Sequence, residues 1–88
     1  MYSISIKPEL DEKLVDIKKR YAKHFEIIMK KAEEIVRNPY HYKPLRSPMQ
    51  HMRRVHIDKH FVLIFSIDEK AKTVVLENFD HHDNIYKR

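Results

Sequence analysis

The chain of 88 residues is long enough for one compact domain and too short for two, because a chain of this size buries only a small core. Apolar residues make up 42% and charged residues 35%, which excludes a disordered chain, and 18 Lys and Arg against 13 Asp and Glu favour an anionic partner. The absence of cysteine excludes disulfides, thiolate metal sites and cysteine nucleophiles. The sequence contains neither a membrane-length apolar run nor a signal-peptide pattern, so we expect residues 1–88 to form a single cytoplasmic domain.

The N-terminal part of the chain predicts one strand followed by two helices. Residues 2–6 alternate between apolar and polar side chains, as a half-buried strand does. Pro8 then begins a helical pattern that continues until Asn38-Pro39 ends it. A single helix of this length would extend about 45 Å, longer than the strands available to cover it. We therefore expect a helical hairpin that breaks at residues 22–24.

The C-terminal half predicts a strand meander. Residues 38–48 carry three prolines and favour an extended loop. Three strand candidates follow at residues 49–57, 60–68 and 73–79, and a short helical turn closes the chain at residues 80–86. The order β-α-α-β-β-β predicts an α+β fold with the helical hairpin packed on one face of an antiparallel sheet. We expect the opposite face to stay open.

Histidines and basic residues are expected to meet at one end of this sheet. Alternation along residues 49–57 places Arg54 and His56 together on the open face. His60 begins the next strand and is expected to face His56 across the turn. The remaining members come from the proline-rich loop, the strand ends and the C-terminal turn: Lys43, Arg46, His51, Arg53, His81, His82 and Tyr86.

This set of residue types suits RNA cleavage without a metal. Such a reaction needs a general base for the 2′-hydroxyl proton, a general acid for the leaving 5′-oxygen, and cations beside the phosphoryl oxygens. Histidine supplies the first two near pH 7, arginine supplies the third, and Tyr86 could stack on a base or bond to the phosphate. A single exposed His or Arg is more often solvated surface than a catalyst. The hypothesis therefore depends on the clustering.

Metal and cofactor sites are weaker interpretations. His56, His60, His81 and His82 could supply imidazoles for zinc, but His56 and His60 span a predicted turn and no His ligand is accompanied by paired carboxylates. The chain has no glycine, which excludes phosphate-binding loops of the P-loop and dinucleotide types. We expect neither a metal nor a cofactor.

Four stretches of the chain resemble the RelE/ParE superfamily of toxins, and together they span most of it. They are residues 42–45, 52–57, 61–68 and 80–86. The superfamily closes with His or Arg followed four residues later by Tyr or Phe, and His82 with Tyr86 matches this motif. The Pro-Leu pair at residues 44–45, ahead of an Arg-x-x-His strand at residues 53–56, is similar to the YafQ branch.

The resemblance implies a β-α-α-β-β-β fold and the activity of a messenger RNA endonuclease that acts in the ribosomal A site. It also implies ribosomal RNA contacts and an acidic antitoxin that holds the toxin inactive. His56 and His82 are the implied acid and base. His60 stands where the YafQ type has an aspartate, and Arg54 would serve as the phosphoryl clamp because Val62 occupies the position of the RelE arginine.

Two rival hypotheses belong to other functional classes. One is a ParE-like protein that inhibits DNA gyrase by binding, and the other is a catalytically decayed member that only binds its antitoxin. The His and Arg cluster favours the endonuclease. The expected catalytic residues are His56, His82, Tyr86, Arg54 and His60. The expected RNA-binding residues are Lys43, Arg46, His51, Arg53 and His81.

Overall fold

A helical layer and a sheet form the two layers of the computed structural model, which describes residues 1–85. The strands are β1 (Ser3–Ile6), β2 (Met52–Ile57), β3 (Phe61–Asp68) and β4 (Thr73–His81). The helices are α1 (Pro8–Arg20), α2 (Ala22–Arg37) and the short α3 (His82–Ile85), with a 3₁₀ turn at Pro39–His41. This order confirms the predicted α+β fold. None of the helices within residues 1–85 is long and apolar enough to cross a membrane.

The expected helical hairpin is confirmed, and its break falls at Tyr21, one residue before the predicted range of 22–24. Pro8 occupies the first turn of α1 together with Glu9 and Asp11, whose charges suit the positive end of the helix dipole. Tyr21 leaves the helical backbone region at φ −136°, while its N–H still donates to the Ile17 carbonyl at 2.7 Å. The chain therefore closes α1 and opens α2 within a single residue.

The sheet has the strand order β1-β4-β3-β2. The β2-β3-β4 meander is antiparallel as predicted, but β1 pairs parallel with β4, so the expectation of a wholly antiparallel sheet is wrong at this edge. The helical hairpin explains the difference, since it returns the chain to the end where β1 begins and the Tyr2 N–H donates to the Val36 carbonyl at 3.1 Å. β2 then runs in the direction of β1, and two reversals make β4 parallel to both.

The main core lies between the helices and one face of the sheet. The apolar stripes of α1 and α2 pack against alternate residues of the strands, with the alternation of β4 shifted by one residue between Leu76 and Phe79, and Phe65 is fully buried there. The buried members are Leu10, Leu14, Ile17, Ile28, Ala32, Ile35, Val55, Ile57, Leu63, Phe65, Val74, Leu76 and Phe79.

The opposite face of the sheet is partly covered, which corrects the expectation of an open face. Val62 and Ile64 are buried there beneath Leu45 of the proline-rich loop, with Met52 and Ile85 packed beside them. β3 is apolar on both faces, so its second face also needs a cover. The loop is held in place because the Leu45 N–H donates to the Met52 carbonyl at 2.8 Å.

A polar cluster ties the N-terminal strand to the β3–β4 turn. The Tyr2 hydroxyl donates to Glu69 Oε2 at 3.0 Å, and the Tyr40 hydroxyl and the Lys72 ammonium donate to the same carboxylate. Lys72, Tyr40 and Tyr2 together hold the pKa of Glu69 at about 2. The hydrogen bond to Glu69 raises the pKa of Tyr40 to about 12. These bonds also hold Lys72 in a left-handed turn at φ 52°.

Candidate functional site

Three histidine rings stack where β4 passes into α3. The His60 ring lies parallel to the His81 ring, with 5.8 Å between centroids and 6° between planes. The His81 ring stacks on the His82 ring with centroids 5.0 Å apart. The His82 N–H donates to the His60 carbonyl at 2.8 Å, which joins the β2–β3 turn to the start of α3. The predicted approach of these histidines, called here the imidazole stack, is confirmed.

Asp83 bonds to two members of the stack and was missed by the sequence analysis. Its Oδ1 lies 3.0 Å from His82 Nδ1, and its Oδ2 lies 3.6 Å from His81 Nδ1. Its backbone N–H donates to His81 Nδ1 at 3.2 Å. The carboxylate lies where it can accept a hydrogen bond from the His82 ring, whereas His81 Nδ1 accepts one from the Asp83 N–H. The only available sequence signal was that Asp83 directly follows His81-His82.

Arg54 and His56, called here the β2 pair, lie on the face of the sheet opposite to the His81 side chain. His56 is exposed and is paired across the strands with Val62, whereas His81 is paired with Phe61 on the helix-facing side. The expectation that His60 faces His56 is therefore wrong, because the His60 ring instead stacks on His81. Arg54 is half-buried beside His56, as alternation predicted, and its backbone N–H donates to the Lys43 carbonyl at 3.3 Å.

The other predicted residues are spread along the loop and the strand edge. Arg53 Nη1 donates to the Tyr42 carbonyl at 2.6 Å, and its guanidinium lies 5.1 Å from the centre of the Tyr40 ring. Arg53 thus anchors the loop, four residues along the sheet from the stack, because it pairs with Phe65. The exposed members of the set are Lys43, Arg46 and His51. Tyr86 lies outside the described residues.

A cavity of about 400 Å³ opens beside the covered centre of this second face. Met52, Ile64 and Ile85 give it an apolar floor, Asn78 and Asn84 add amide groups, and the charged side chains of Glu9, Lys13 and Glu77 complete the polar part of the lining. Apolar side chains together with polar groups are the usual lining of a site for a small molecule. Neither asparagine was singled out from the sequence, because the cavity forms only when α3 folds over the strands.

Asp80 joins α3 to the end of β4. Its Oδ1 accepts hydrogen bonds from Asn84 Nδ2 at 3.0 Å and from the His81 N–H at 2.7 Å. Burial acts to raise the pKa of the Asp80 carboxyl, but these two bonds and the charges of Lys13 and His81 outweigh burial and lower it. Asp80 is therefore ionised near neutral pH and holds the turn that carries the stack.

A second cavity of about 330 Å³ lies on the helix side, lined by the rings of Tyr21, His24, Phe61 and Phe79. His24 Nε2 lies 3.3 Å from Asp58 Oδ2, and this hydrogen bond lowers the pKa of the Asp58 carboxyl. The bond also supports the β2–β3 turn, where Asp58 takes the left-handed backbone at φ 59°. The helix break and the strand turn are thereby joined beside the stack.

Comparison with known proteins agrees with this architecture. Residues 4–86 match the family model described as the ParE toxin of the type II toxin–antitoxin system parDE. A chain from Methanocaldococcus jannaschii, named as a candidate toxin RelE4, is 56% identical over 88 residues, which are 100% of this chain and 94% of that one.

Two solved structures share the fold at low sequence identity. The YoeB/ParE toxin from Agrobacterium tumefaciens has a TM-score of 0.82 and 12% identity, covering 91% of this chain and 98% of its own. A chain of the heterotetrameric YoeB–YefM toxin–antitoxin complex from Staphylococcus aureus has a TM-score of 0.76 and 16% identity, covering 93% and 98%. With the family match and the RelE4 relative, the chain belongs to the RelE/ParE family of type II toxin–antitoxin toxins.

Proposed function

We propose that this toxin is a ribosome-dependent messenger RNA endonuclease that cleaves by attack of a 2′-hydroxyl on the adjacent phosphate, without a catalytic metal. The observation that carries the proposal is the His82–Asp83 pair within the imidazole stack. A carboxylate 3.0 Å from Nδ1 would fix the orientation of the ring, so that Nε2 could exchange a proton with a substrate. His82 is 40% exposed, so RNA can reach it.

The reaction needs two proton transfers and one charge stabiliser. A base takes the 2′-hydroxyl proton while the 2′-oxygen bonds to phosphorus, and an acid gives a proton to the 5′-oxygen as its bond to phosphorus breaks. We assign these transfers to His82 and His56. His60 supports the stack, and the Arg54 guanidinium stabilises the charge that builds on the phosphoryl oxygens.

The bound RNA would lie along the second face of the sheet. Lys43, Arg46 and His51 are exposed on the loop at the border of this face and suit contacts with phosphates. The 400 Å³ cavity suits an unstacked nucleobase of the RNA. The apolar floor of the cavity would cover one face of the base, and the amides of the cavity would meet the edge of the base. We also assign Tyr86 to substrate positioning, and the basis of this assignment is the closing motif of the family alone.

The proposed partners follow from charge and from the family. An acidic antitoxin would cover the basic faces of the helices, because Lys and Arg exceed Asp and Glu by 18 to 13 and several of the lysines lie exposed on α1. The relation to the toxin–antitoxin complex supports such a partner. Messenger RNA in the ribosomal A site and ribosomal RNA complete the proposed set, and they imply a cytoplasmic location.

The test is cleavage of a translated messenger RNA in a reconstituted ribosome system, with the new 5′ ends mapped. We expect cuts with wild-type protein and ribosomes, no cuts in ribosome-free RNA, and loss of the cuts in His82→Ala. His41→Ala is the matched control, because His41 is an exposed histidine on the 3₁₀ turn, outside the proposed site. All variants are first compared with wild type by circular dichroism.

Absence of cleavage by folded wild-type protein would overturn the proposal. A gyrase supercoiling assay then separates the two rivals: inhibition indicates a ParE-like activity, and its absence indicates a module that only binds its antitoxin.

A further inference from the structure

His81, His82 and Asp83 converge with the geometry of metal ligands. One ligand atom from each of them lies within 4.8 Å of the others. The Asp83 carboxylate directs one oxygen to each ring, at 3.6 Å from His81 Nδ1 and 3.0 Å from His82 Nδ1. Two ligand atoms of one tetrahedral zinc ion lie about 3.3–3.5 Å apart, because each is about 2.0–2.2 Å from the metal. The two carboxylate–imidazole distances bracket this value, and the three ligand atoms, all within 4.8 Å of one another, need only a small adjustment of exposed side chains to meet one ion.

We propose that His81, His82 and Asp83 form a site for a divalent transition metal ion, with Zn²⁺ as the model ligand. A site with two imidazoles and one carboxylate binds zinc, nickel or copper in preference to magnesium or calcium, because the latter two favour oxygen ligands. Three protein ligands leave a fourth position for water. The sequence analysis weighed His81 and His82 as imidazole ligands but did not include Asp83, whose position directly after them was the only signal.

The contacts of the two rings already involve the proposed ligand atoms. His81 Nδ1 accepts a hydrogen bond from the Asp83 N–H at 3.2 Å, and His82 Nδ1 lies 3.0 Å from Asp83 Oδ1, so a bound ion would replace both contacts. The side chains are 37%, 40% and 73% exposed for His81, His82 and Asp83, so an ion can enter from solvent and exposed side chains can adjust. Asp80 supports the site from behind, since its Oδ1 bonds to the His81 N–H and to Asn84.

Metal binding would also regulate the toxin. A metal bound to Nδ1 of His82 displaces the carboxylate from its orienting contact and adds positive charge beside the ring that exchanges protons with RNA. This consequence rests on the proposed function, whereas metal binding itself does not. Cleavage would then be slowed by Zn²⁺ and restored by a chelator.

Isothermal titration calorimetry of the tag-free full chain with Zn²⁺ tests the site directly. We expect one-to-one binding that is weakened at least about tenfold in Asp83→Asn, which keeps the side-chain shape but removes the charge. The double variant His81→Gln/His82→Gln should abolish it. His41→Gln is the matched control and should bind as wild type does. Imidazole NMR signals of His81 and His82 should shift, while that of His56 should not.

Two outcomes would overturn the metal site. One is the absence of one-to-one Zn²⁺ binding by the wild-type protein. The other is binding of unchanged affinity in Asp83→Asn and in the double histidine variant, which would place the ion on other histidines. Cleavage is measured separately, in the presence of a chelator, so that the two proposals can be distinguished. If the wild-type protein does not cleave RNA but still binds Zn²⁺ at these residues, the proposed nuclease activity is contradicted and the proposed metal site is not.

Discussion

The β2 pair and the imidazole stack both contain a proposed catalytic histidine but are built differently. Arg54 and His56 share a face because side chains alternate along one regular strand. His60, His81 and His82 are joined by a strand register, a backbone hydrogen bond and a short helix, with Asp83 bonded to two of the rings. A regular strand fixes only which face of the sheet a side chain lies on, whereas a junction between elements also fixes how side chains are oriented towards one another.

The largest expected effect is the loss of cleavage in variants of His82 and His56, which tests whether both regions exchange protons with RNA. His82→Ala and His56→Ala should each lower the rate of ribosome-dependent cleavage by about 10²- to 10⁴-fold, because each removes a general acid or base. His60→Ala should cost much less, since its ring only supports the stack. Mapping and quantifying the new 5′ ends measures the three rates. If His56→Ala cleaves at the wild-type rate, the chemistry belongs to the stack alone.

A somewhat smaller effect separates the two neighbouring arginines. Arg54→Ala should lower cleavage by about 10²- to 10³-fold, the usual cost of removing one donor that stabilises developing charge. Arg53→Ala should instead lower the free energy of unfolding by about 1–3 kcal/mol, because the Tyr42 carbonyl and the Tyr40 ring lose a charged partner. Cleavage rates and urea melts of both variants check this. Equal catalytic losses would contradict the separation.

The residue that covers the second face should contribute to stability as a core residue does, whereas the stack should contribute only as much as surface residues do. Leu45→Ala should lower the free energy of unfolding by about 2–5 kcal/mol, because Leu45 is 5% exposed above Val62 and Ile64. His82→Gln should change it by less than about 1 kcal/mol. Urea denaturation of both variants measures the difference. A small effect of Leu45→Ala would mean that the loop contributes little to the fold.

The smallest expected effect concerns the Glu69 cluster, which lies at the opposite end of β3 from the imidazole stack and where the Glu69 side chain is 49% exposed. Since the pKa of Glu69 is lowered to about 2 in the folded chain, its stabilisation is present above pH 4.5 and lost as the pH falls towards 2. Since the pKa of Tyr40 is raised to about 12, its stabilisation is present below pH 10 and lost as the pH rises towards 12.

Tyr40→Phe should reduce the alkaline part of this dependence, to which Tyr2 and Lys72 also contribute because their pKa values are raised as well. Tyr21→Phe, at an exposed tyrosine outside the cluster, should leave it intact. Thermal melts as a function of pH record both profiles. Identical alkaline profiles for wild type and Tyr40→Phe would refute the role of Tyr40.

The parts of the site that follow local rules were predictable. Alternation placed Arg54 beside His56, and the meander brought the start of β3 to the end of β4, so that His60 met His81 and His82. Asp83 escaped prediction because its orientation depends on the turn into α3, which Asp80 and Asn84 hold. The side of the sheet taken by the His60 ring was also undecided, since a residue in a turn does not follow strand alternation.

The sequence by itself determined the element order, the helical hairpin and the family, because apolar periodicity, prolines and short motifs are local properties of the chain. Only the tertiary structure decided that β1 lies parallel to β4, that Leu45 and Ile85 cover the second face, and that a carboxylate joins two histidines. These features depend on contacts between residues far apart in the chain or on the exact path of a turn. Periodicity specifies which face of an element is apolar, but not which neighbour will cover it.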